Sequence, residues 1–370
     1  MNALTTQSPK RLMIMAAGTG GHIFPGLAIA KTMQARGWEV TWLGTEHGME
    51  GEIVRANKIA IDTLNFSGMR GKGLWHSVTG AFKLLLSFVR CFQIMGQRKP
   101  DVVLGMGGYV TVPGGVMANL RGVPLVAMNA DAALMLSNKA LTRFAKRVLF
   151  GFPADFGDAV DKALVTGNPV RDEIVAVAQP AERFTGRTGR LNVLVVGGSL
   201  GAKVLNETVP AALALLPEEL RPTVTHQSGK QHIAALQATY ERLNVKAEVV
   251  AFIDDMPKRY SECDIVICRA GAITVSELTA AGVASVLVPL MASSTTHQNN
   301  NAIWMAQQQA AIHLPQKEMS AEKLAELIKT LQRSDCQKLA EAAYKIGRRQ
   351  ANSVIADVLE EIDNNNRNDR

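Results

Sequence analysis

Short apolar runs alternate with stretches of helical periodicity along most of the chain. Leu12–Ala16, Glu39–Leu43, Val102–Leu104, Pro124–Ala127 and Val148–Phe150 are apolar and strand-like, with helical patterns between them. The pattern then restarts. Leu191–Val196 leads into "GGSLGA" and a helix-like Lys203–Leu215, and further strands fit Thr223–Thr225, Ala247–Val250, Ile265–Cys268 and Ser285–Val288. Alternation of this kind predicts parallel sheets with helices on both faces. Two strand–glycine–helix openings, at Ala16–Gly26 ("AAGTGGHIFPG") and at Gly197–Ala202, lie about half a chain apart. The expected fold is therefore α/β, with two doubly wound, Rossmann-like domains facing a cleft. "TGNPVR" (Thr166–Arg171) is the expected joint, giving a first domain over 10–168 and a second over 169–347. Residues 348–370 are expected to form a C-terminal helix that packs back on the first domain and ends in a frayed polar tail. Ligands of such sheets bind beyond the carboxyl ends of the strands, which directs attention to the glycine turns.

The first turn is not a good dinucleotide fingerprint. Ile23 stands where a third glycine belongs, and the second strand ends at Gly44-Thr45, with Glu46 past its end. No Walker lysine pattern occurs. What remains is a set of backbone N–H groups at a helix start, suited to an oxyanion or phosphate, or simply a tight turn. His22 follows the first glycines directly and has the chemistry of a general base, although a partly buried helix-start residue would look the same. In "CRAGAITVSELTAAG" (Cys268–Gly282), Thr274 and Glu277 have capping-box spacing. Glu277 could instead accept from both hydroxyls of a ribose. The amide-rich "HQNNNA" (His297–Ala302) suits sugar hydroxyls or a solvated helix start.

Charge and composition narrow the classes. The 370-residue chain carries +7, with 18 Lys+Arg against 10 Asp+Glu in residues 1–168 and 22 against 23 in 169–370. This asymmetry gives the first half an anionic partner, nucleic acid or a phospholipid surface. No aromatic–basic interleaving supports nucleic acid. The four cysteines are scattered without metal-ligand spacing, which favours a reducing compartment. Glycines and Pro25 interrupt the N-terminal apolar stretch, so it reads as strand and helix rather than as a signal peptide. No apolar run reaches the roughly 18 residues of a membrane span. Asp254-Asp255 are adjacent and no carboxylate pair suggests a cation site, so no metal and no cofactor is expected. Charge on a leaving group would fall to helix ends and Arg171.

"GTGGHIFPGLAIA", "VVLGMGGYVTVPG", "GNPVR", "VVGGSLGA", "HQSGK", "FIDDM" and "CRAGAITVSELTAAG" occur in this order. Together they resemble the MurG family, the bacterial N-acetylglucosaminyltransferases of peptidoglycan synthesis, from Arg11 to about Ala302. The resemblance implies a two-domain glycosyltransferase of the B type. Such an enzyme moves N-acetylglucosamine from UDP-GlcNAc to the C4 hydroxyl of the muramoyl sugar of lipid I, with inversion, giving lipid II. It implies that Thr19, Gly20, Gly21, Arg171 and Ser199 meet the donor. Ile253 would read the uracil through its backbone, and Ala272, Ile273, Thr274, Val275, Ser276 and Glu277 would line the nucleoside. Gln298 would meet the sugar hydroxyls, and His22 with Gly107, Gly108 and Tyr109 would lie near the acceptor. One loop departs from the family pattern: "MNAD" (Met128–Asp131) stands where His-Glu-Gln-Asn is usual. Asp131 thereby occupies the sugar-binding amide position and becomes a candidate ligand or base.

Trp75, Val78, Phe82, Leu85 and Phe88 recur at steps of three or four, gathering on one helix face. The spacing fits a face packed on the sheet equally well. The resemblance and the flanking Lys72, Lys83, Arg90, Arg98 and Lys99 favour docking on anionic phospholipids. The expected location is peripheral, on the cytoplasmic side of the bacterial inner membrane, where other cell-wall synthesis proteins are admissible partners and nucleic acid is not expected. The competing readings are a different two-domain UDP-sugar enzyme, such as an epimerase or a transferase with another acceptor, and a non-catalytic nucleotide-sugar-binding protein.

Overall fold

The computed structural model describes residues 9–46, 48–65, 74–198, 201–290 and 296–368; for 74–82 it describes the backbone alone. The chain forms two compact units, residues 1–171 with 350–370, and residues 172–349.

The first unit is built on seven parallel strands: β1 (Arg11–Ala16), β2 (Glu39–Thr45), β3 (Ala60–Leu64), β4 (Val102–Gly107), β5 (Leu125–Asn129), β6 (Ala145–Phe150) and β7 (Ala163–Val165). Their order is β3-β2-β1-β4-β5-β6-β7, so the winding reverses between β1 and β4. Strand alternation feeds two cores. Leu12, Ile14, Val40, Trp42, Val102 and Leu104 face one side. Met13, Met15, Leu43, Val103 and Leu125 face the other.

The helix Gly20–Ala35 covers the first of these faces. It approaches β2 so closely that a Cβ on Gly26 would lie 2.6 Å from the Trp42 ring. The Trp42 indole donates to the Ala16 carbonyl at 2.9 Å, fixing the end of β1 where the glycine turn begins.

The last helix, Ala351–Asn368, belongs to this unit. It buries Ile355, Leu359 and Ile362 in the same core. Arg36 pairs with Asp357 at 2.7 Å and with Glu360 at 2.9 Å, and Lys10 pairs with the buried Asp363 at 2.8 Å. The Arg36 pairs, on the surface, add little each. The apolar stripe carries the docking.

The second unit has six parallel strands: β8 (Asn192–Val196), β9 (Thr223–Gln227), β10 (Glu248–Val250), β11 (Ile265–Cys268), β12 (Ser285–Leu287) and β13 (Ile312–His313). The order β10-β9-β8-β11-β12-β13 reverses between β8 and β11. Asp264, buried just before β11, takes Arg187 at 2.9 Å, Arg333 at 3.2 Å and the Asn192 N–H at 2.8 Å. Removing Asp264 would leave both part-buried guanidiniums without their counter-charge, whereas removing one arginine would leave the other paired with it. Arg183, also buried, closes the far end of the helix Ala272–Ala281, donating to the carbonyls of Ala281 (3.0 Å) and Gly282. Burial lowers its pKa from the usual guanidinium value.

Candidate active site

Each sheet reverses its winding at a glycine turn, and in open α/β sheets that crevice is where ligands sit. In the first unit the turn follows β1. Gly18 has φ +100°, a left-handed conformation that a side chain would strain. The neighbouring strand β4 ends in Gly107 and Gly108, also at positive φ. A Cβ on Gly107 would lie 2.7 Å from the His22 ring, and one on Gly108 would collide with the Ala17 carbonyl. These glycines let the two turns lie against each other. They bring His22, Gly107 and Gly108 together, with Tyr109 half exposed beside them.

His22 Nδ1 lies 3.1 Å from the Ala17 carbonyl oxygen. A carbonyl can only accept, so Nδ1 carries a proton, and in the neutral ring the lone pair is then on Nε2. Thr19 precedes the helix with extended backbone and makes no side-chain cap, and Gly20 and Gly21 form its first turn.

An acid the sequence reading overlooked completes this turn. Glu50 is fully buried. It accepts from the Thr45 N–H (2.8 Å), the Thr45 hydroxyl (2.5 Å) and the Gly18 N–H (3.4 Å). A Cβ on Gly44 would lie 2.8 Å from its side chain, and one on Gly48 would overlap its carboxylate. The dinucleotide rule looks for an acid at the end of the second strand. Glu46, the residue weighed there, is exposed, whereas Glu50 reaches back to the strand end from the next helix, Glu50–Ala56.

The departing "MNAD" loop is held by amides. Asn129 is buried; its Nδ2 donates to the carbonyls of Asp131 (2.9 Å) and Ala133 (3.0 Å). Its Oδ1 accepts from the Met135 N–H (2.9 Å) and from Asn138 Nδ2 (3.2 Å). Asn168 donates to the Ala130 carbonyl at 2.9 Å. Asn129 is thus fully engaged as scaffold, and it presents Asp131 half-buried at the carboxyl end of the sheet. Arg171, half-buried, closes the first unit.

In the second unit the turn follows β8. Gln227 accepts from the Gly198 N–H at 3.2 Å and donates to the Gly198 carbonyl at 2.8 Å. Gly201 has φ +77°, and a Cβ there would run into the Ser228 carbonyl. Behind it, His226 Nε2 lies 3.1 Å from Asn206 Oδ1, and Nδ1 lies 2.8 Å from the Tyr240 hydroxyl. Burial pushes the His226 pKa down to about 3. Ser199 lies outside the described residues.

Beyond β11, the helix Ala272–Ala281 begins with Gly271 as its cap and no side-chain cap bond. Thr274 and Glu277 therefore sit inside the helix, and the capping-box reading of their spacing fails. Of the six residues Ala272–Glu277, Ala272, Val275 and Ser276 are buried, and Ser276 Oγ donates to the Ala272 carbonyl at 2.9 Å. Ile273, Thr274 and Glu277 share the half-exposed face. Ile253 is buried, while Phe252 beside it is exposed.

The amide run has structural work that its composition did not reveal. Gln298 Oε1 accepts from the Leu290 N–H at 2.9 Å, and the buried Asn301 donates to the Ala270 carbonyl at 3.1 Å.

The apolar stripe also shifts. Along the helix Leu74–Arg98 the exposed apolar residues are Leu85, Leu86, Val89 and Phe92, and Phe88 is half-buried. The side chains of Trp75, Val78 and Phe82, and Lys72 as a whole, lie outside the described residues. Lys83, Arg90 and Lys99 are exposed, whereas Arg98 is tied to Asp62 at 2.7 Å. Among the described residues no helix is long and apolar enough to cross a membrane.

Comparison with known proteins extends over both units. Residues 12–150 match the glycosyltransferase family 28 N-terminal domain, and residues 192–358 match the family's C-terminal domain. A protein of Herminiimonas arsenicoxydans is 69% identical over 353 residues, covering 95% of this chain and 99% of its own. A protein of Chromobacterium violaceum is 56% identical over 355 residues, covering 95% and 98%. Both carry the name UDP-N-acetylglucosamine–N-acetylmuramyl-(pentapeptide) pyrophosphoryl-undecaprenol N-acetylglucosamine transferase. A crystal structure of MurG from Acinetobacter baumannii superposes with a TM-score of 0.82 at 38% identity, covering 95% of this chain and all of that one.

Proposed function

The chain belongs to glycosyltransferase family 28, and from that premise we infer that it transfers N-acetylglucosamine from UDP-GlcNAc to lipid I, giving lipid II. The carrying observation is that 69% identity to a transferase of that name extends over 95% of this chain. An epimerase or another UDP-sugar enzyme would share the architecture but not this identity.

In this reading the C4 hydroxyl oxygen of the muramoyl sugar attacks the anomeric carbon while the bond to the diphosphate breaks. The hydroxyl proton passes to His22 Nε2, the nitrogen left to accept in the neutral ring when Nδ1 donates to Ala17. Asp131, replacing the family's amide, is the second candidate to accept that proton or to hold the sugar. Arg171, the Ser199 turn and the uncapped start of the helix at Ala272 take up the charge of departing UDP. Glu277 with Thr274 and Ile273 forms the ribose side of the nucleoside site, Ile253 reads the base, and Gln298 sits at the sugar. Gly107, Gly108 and Tyr109 lie on the acceptor side.

The lipid tail of the acceptor stays in a bilayer, so the enzyme must come to it. Leu85, Leu86, Val89 and Phe92, flanked by Lys83, Arg90 and Lys99, suit peripheral docking on an anionic lipid surface. The test is UDP release from a panel of sugar nucleotides offered with a lipid I analogue. UDP-GlcNAc should be turned over and TDP- or GDP-sugars should not. Equal turnover of all of them, or release of a C2 epimer without acceptor, would overturn the reading.

A further inference from the structure

We propose that Glu50 acts on His22 through the Ala17–Gly18 peptide group, as the orienting acid of the catalytic base. One peptide joins the two. Its carbonyl, on Ala17, faces His22 Nδ1 at 3.1 Å, and its N–H, on Gly18, donates to Glu50 Oε2 at 3.4 Å. A carboxylate drawing on the N–H end of an amide increases the negative charge on its oxygen. Hydrogen bonds in series strengthen one another in this way. The Ala17 carbonyl then holds the Nδ1 proton more firmly, which fixes the tautomer and makes Nε2 more basic. The logic is that of an acid orienting a histidine in hydrolytic triads, with a peptide interposed.

Three features mark Glu50 as built for this rather than incidental. It is fully buried, and among the described residues each of its hydrogen bonds is to a donor: the Thr45 N–H, the Thr45 hydroxyl and the Gly18 N–H. Among the described residues no Lys or Arg pairs with it, so its charge is left to act through those donors. Glycines make room along the whole path. Gly44 and Gly48 admit the carboxylate, Gly108 admits the Ala17 carbonyl and Gly107 admits the imidazole. A carboxylate buried only to cap a turn would require none of the last two.

The proposal rests on His22 being the base, so the experiment separates the two claims. Nitrogen NMR of the wild-type imidazole should show His22 neutral and protonated on Nδ1; a ring protonated on Nε2 overturns the relay without any variant. Glu50→Gln keeps the shape and removes the charge. It should lower kcat roughly 10- to 100-fold with little change in KM for UDP-GlcNAc. Without that negative charge the acid limb of the pH–rate profile should move to lower pH. Glu50→Asp, which keeps the charge, should leave that limb closer to wild type.

If the two residues act as one unit, Glu50→Gln should cost almost nothing further in a His22→Ala background. Full additivity there, or an unmoved limb with an unchanged imidazole spectrum, overturns the role of Glu50. Ordinary turnover by His22→Ala refutes the base reading alone, and the imidazole tautomer and titration then still decide whether Glu50 reaches the ring. Should Glu50→Gln fail to fold, Glu50→Asp and the wild-type spectrum carry the test.

Discussion

At the end of β1 the Gly18 amide points to Glu50, a carboxylate that can only accept. At the end of β8 the Gly198 peptide is gripped on both sides by Gln227, which accepts from its N–H and donates to its carbonyl. The two turns occupy equivalent places in their sheets, each where the winding reverses. The clamp differs in charge. A fixed negative charge behind a turn raises the basicity of a neighbouring imidazole and opposes a further anion; a neutral amide does neither. In the proposed reaction, the pairing would suit proton transfer at the first turn and the nucleotide diphosphate at the second.

The largest expected effect comes from closing either turn. Gly108→Ala and Gly201→Ala each place a side chain at positive φ and drive it into a backbone carbonyl, that of Ala17 or of Ser228. Backbone strain alone costs about 1–3 kcal/mol, and the collision adds to it. Gly108→Ala should abolish turnover while calorimetry still shows UDP binding, and Gly201→Ala should abolish UDP binding itself. Equal loss of UDP affinity in both variants would erase the distinction between the turns.

Exchanging the clamp chemistry sharpens the contrast with a smaller effect. Gln227→Glu removes the donor to the Gly198 carbonyl and buries a carboxylate against it. An unmet buried polar group costs about 1–3 kcal/mol, more when charged. UDP affinity should fall at neutral pH and recover in part in acid, where the carboxyl is protonated and can donate again. Calorimetry that finds the wild-type affinity at neutral pH would refute the idea that the second turn must stay neutral.

These clamps show why the sequence was more legible in fold than in site. The central strands β1, β4, β5, β8 and β11 are buried on both faces and therefore read as continuous apolar runs. The strands it missed lie at or toward sheet edges: β3 ("AIDTL") carries Asp62 and Thr63, β7 has three residues and β13 has two. The glycine turns are visible because positive φ demands glycine. Glu50, Gln227 and Asn206 are ordinary residue types, and only the tertiary structure brings them under a glycine turn. On the helix Leu74–Arg98 the period joins Leu85 to Phe88, but spacing fixes a face and leaves open what that face meets. Phe88 turns partly inward while Val89 and Phe92 take the exposed positions.

The smallest effect is a pH dependence confined to the second turn. His226 Nε2 faces the oxygen of Asn206, so it carries the proton, and Nδ1 accepts from the Tyr240 hydroxyl. Asn206 spends its own amide on the Ser228 carbonyl at 3.0 Å, the same carbonyl against which Gly201 packs. Burial holds the imidazole neutral, with its pKa lowered from 6.5 to about 3. In the unfolded chain it takes up a proton near 6.5, so between these values the unfolded state binds the extra proton. The contribution is therefore constant above about pH 6.5, falls as pH drops below that, and levels off near pH 3. Each pH unit in the window is worth up to about 1.4 kcal/mol. Other groups add their own slopes, which makes the comparison with a variant decisive. His226→Gln should be less stable at neutral pH yet lose stability more slowly than wild type between about pH 6 and pH 5. Denaturant melts that show identical slopes for the two proteins would mean that His226 is not held neutral, and that the second turn is no better insulated from charge than the first.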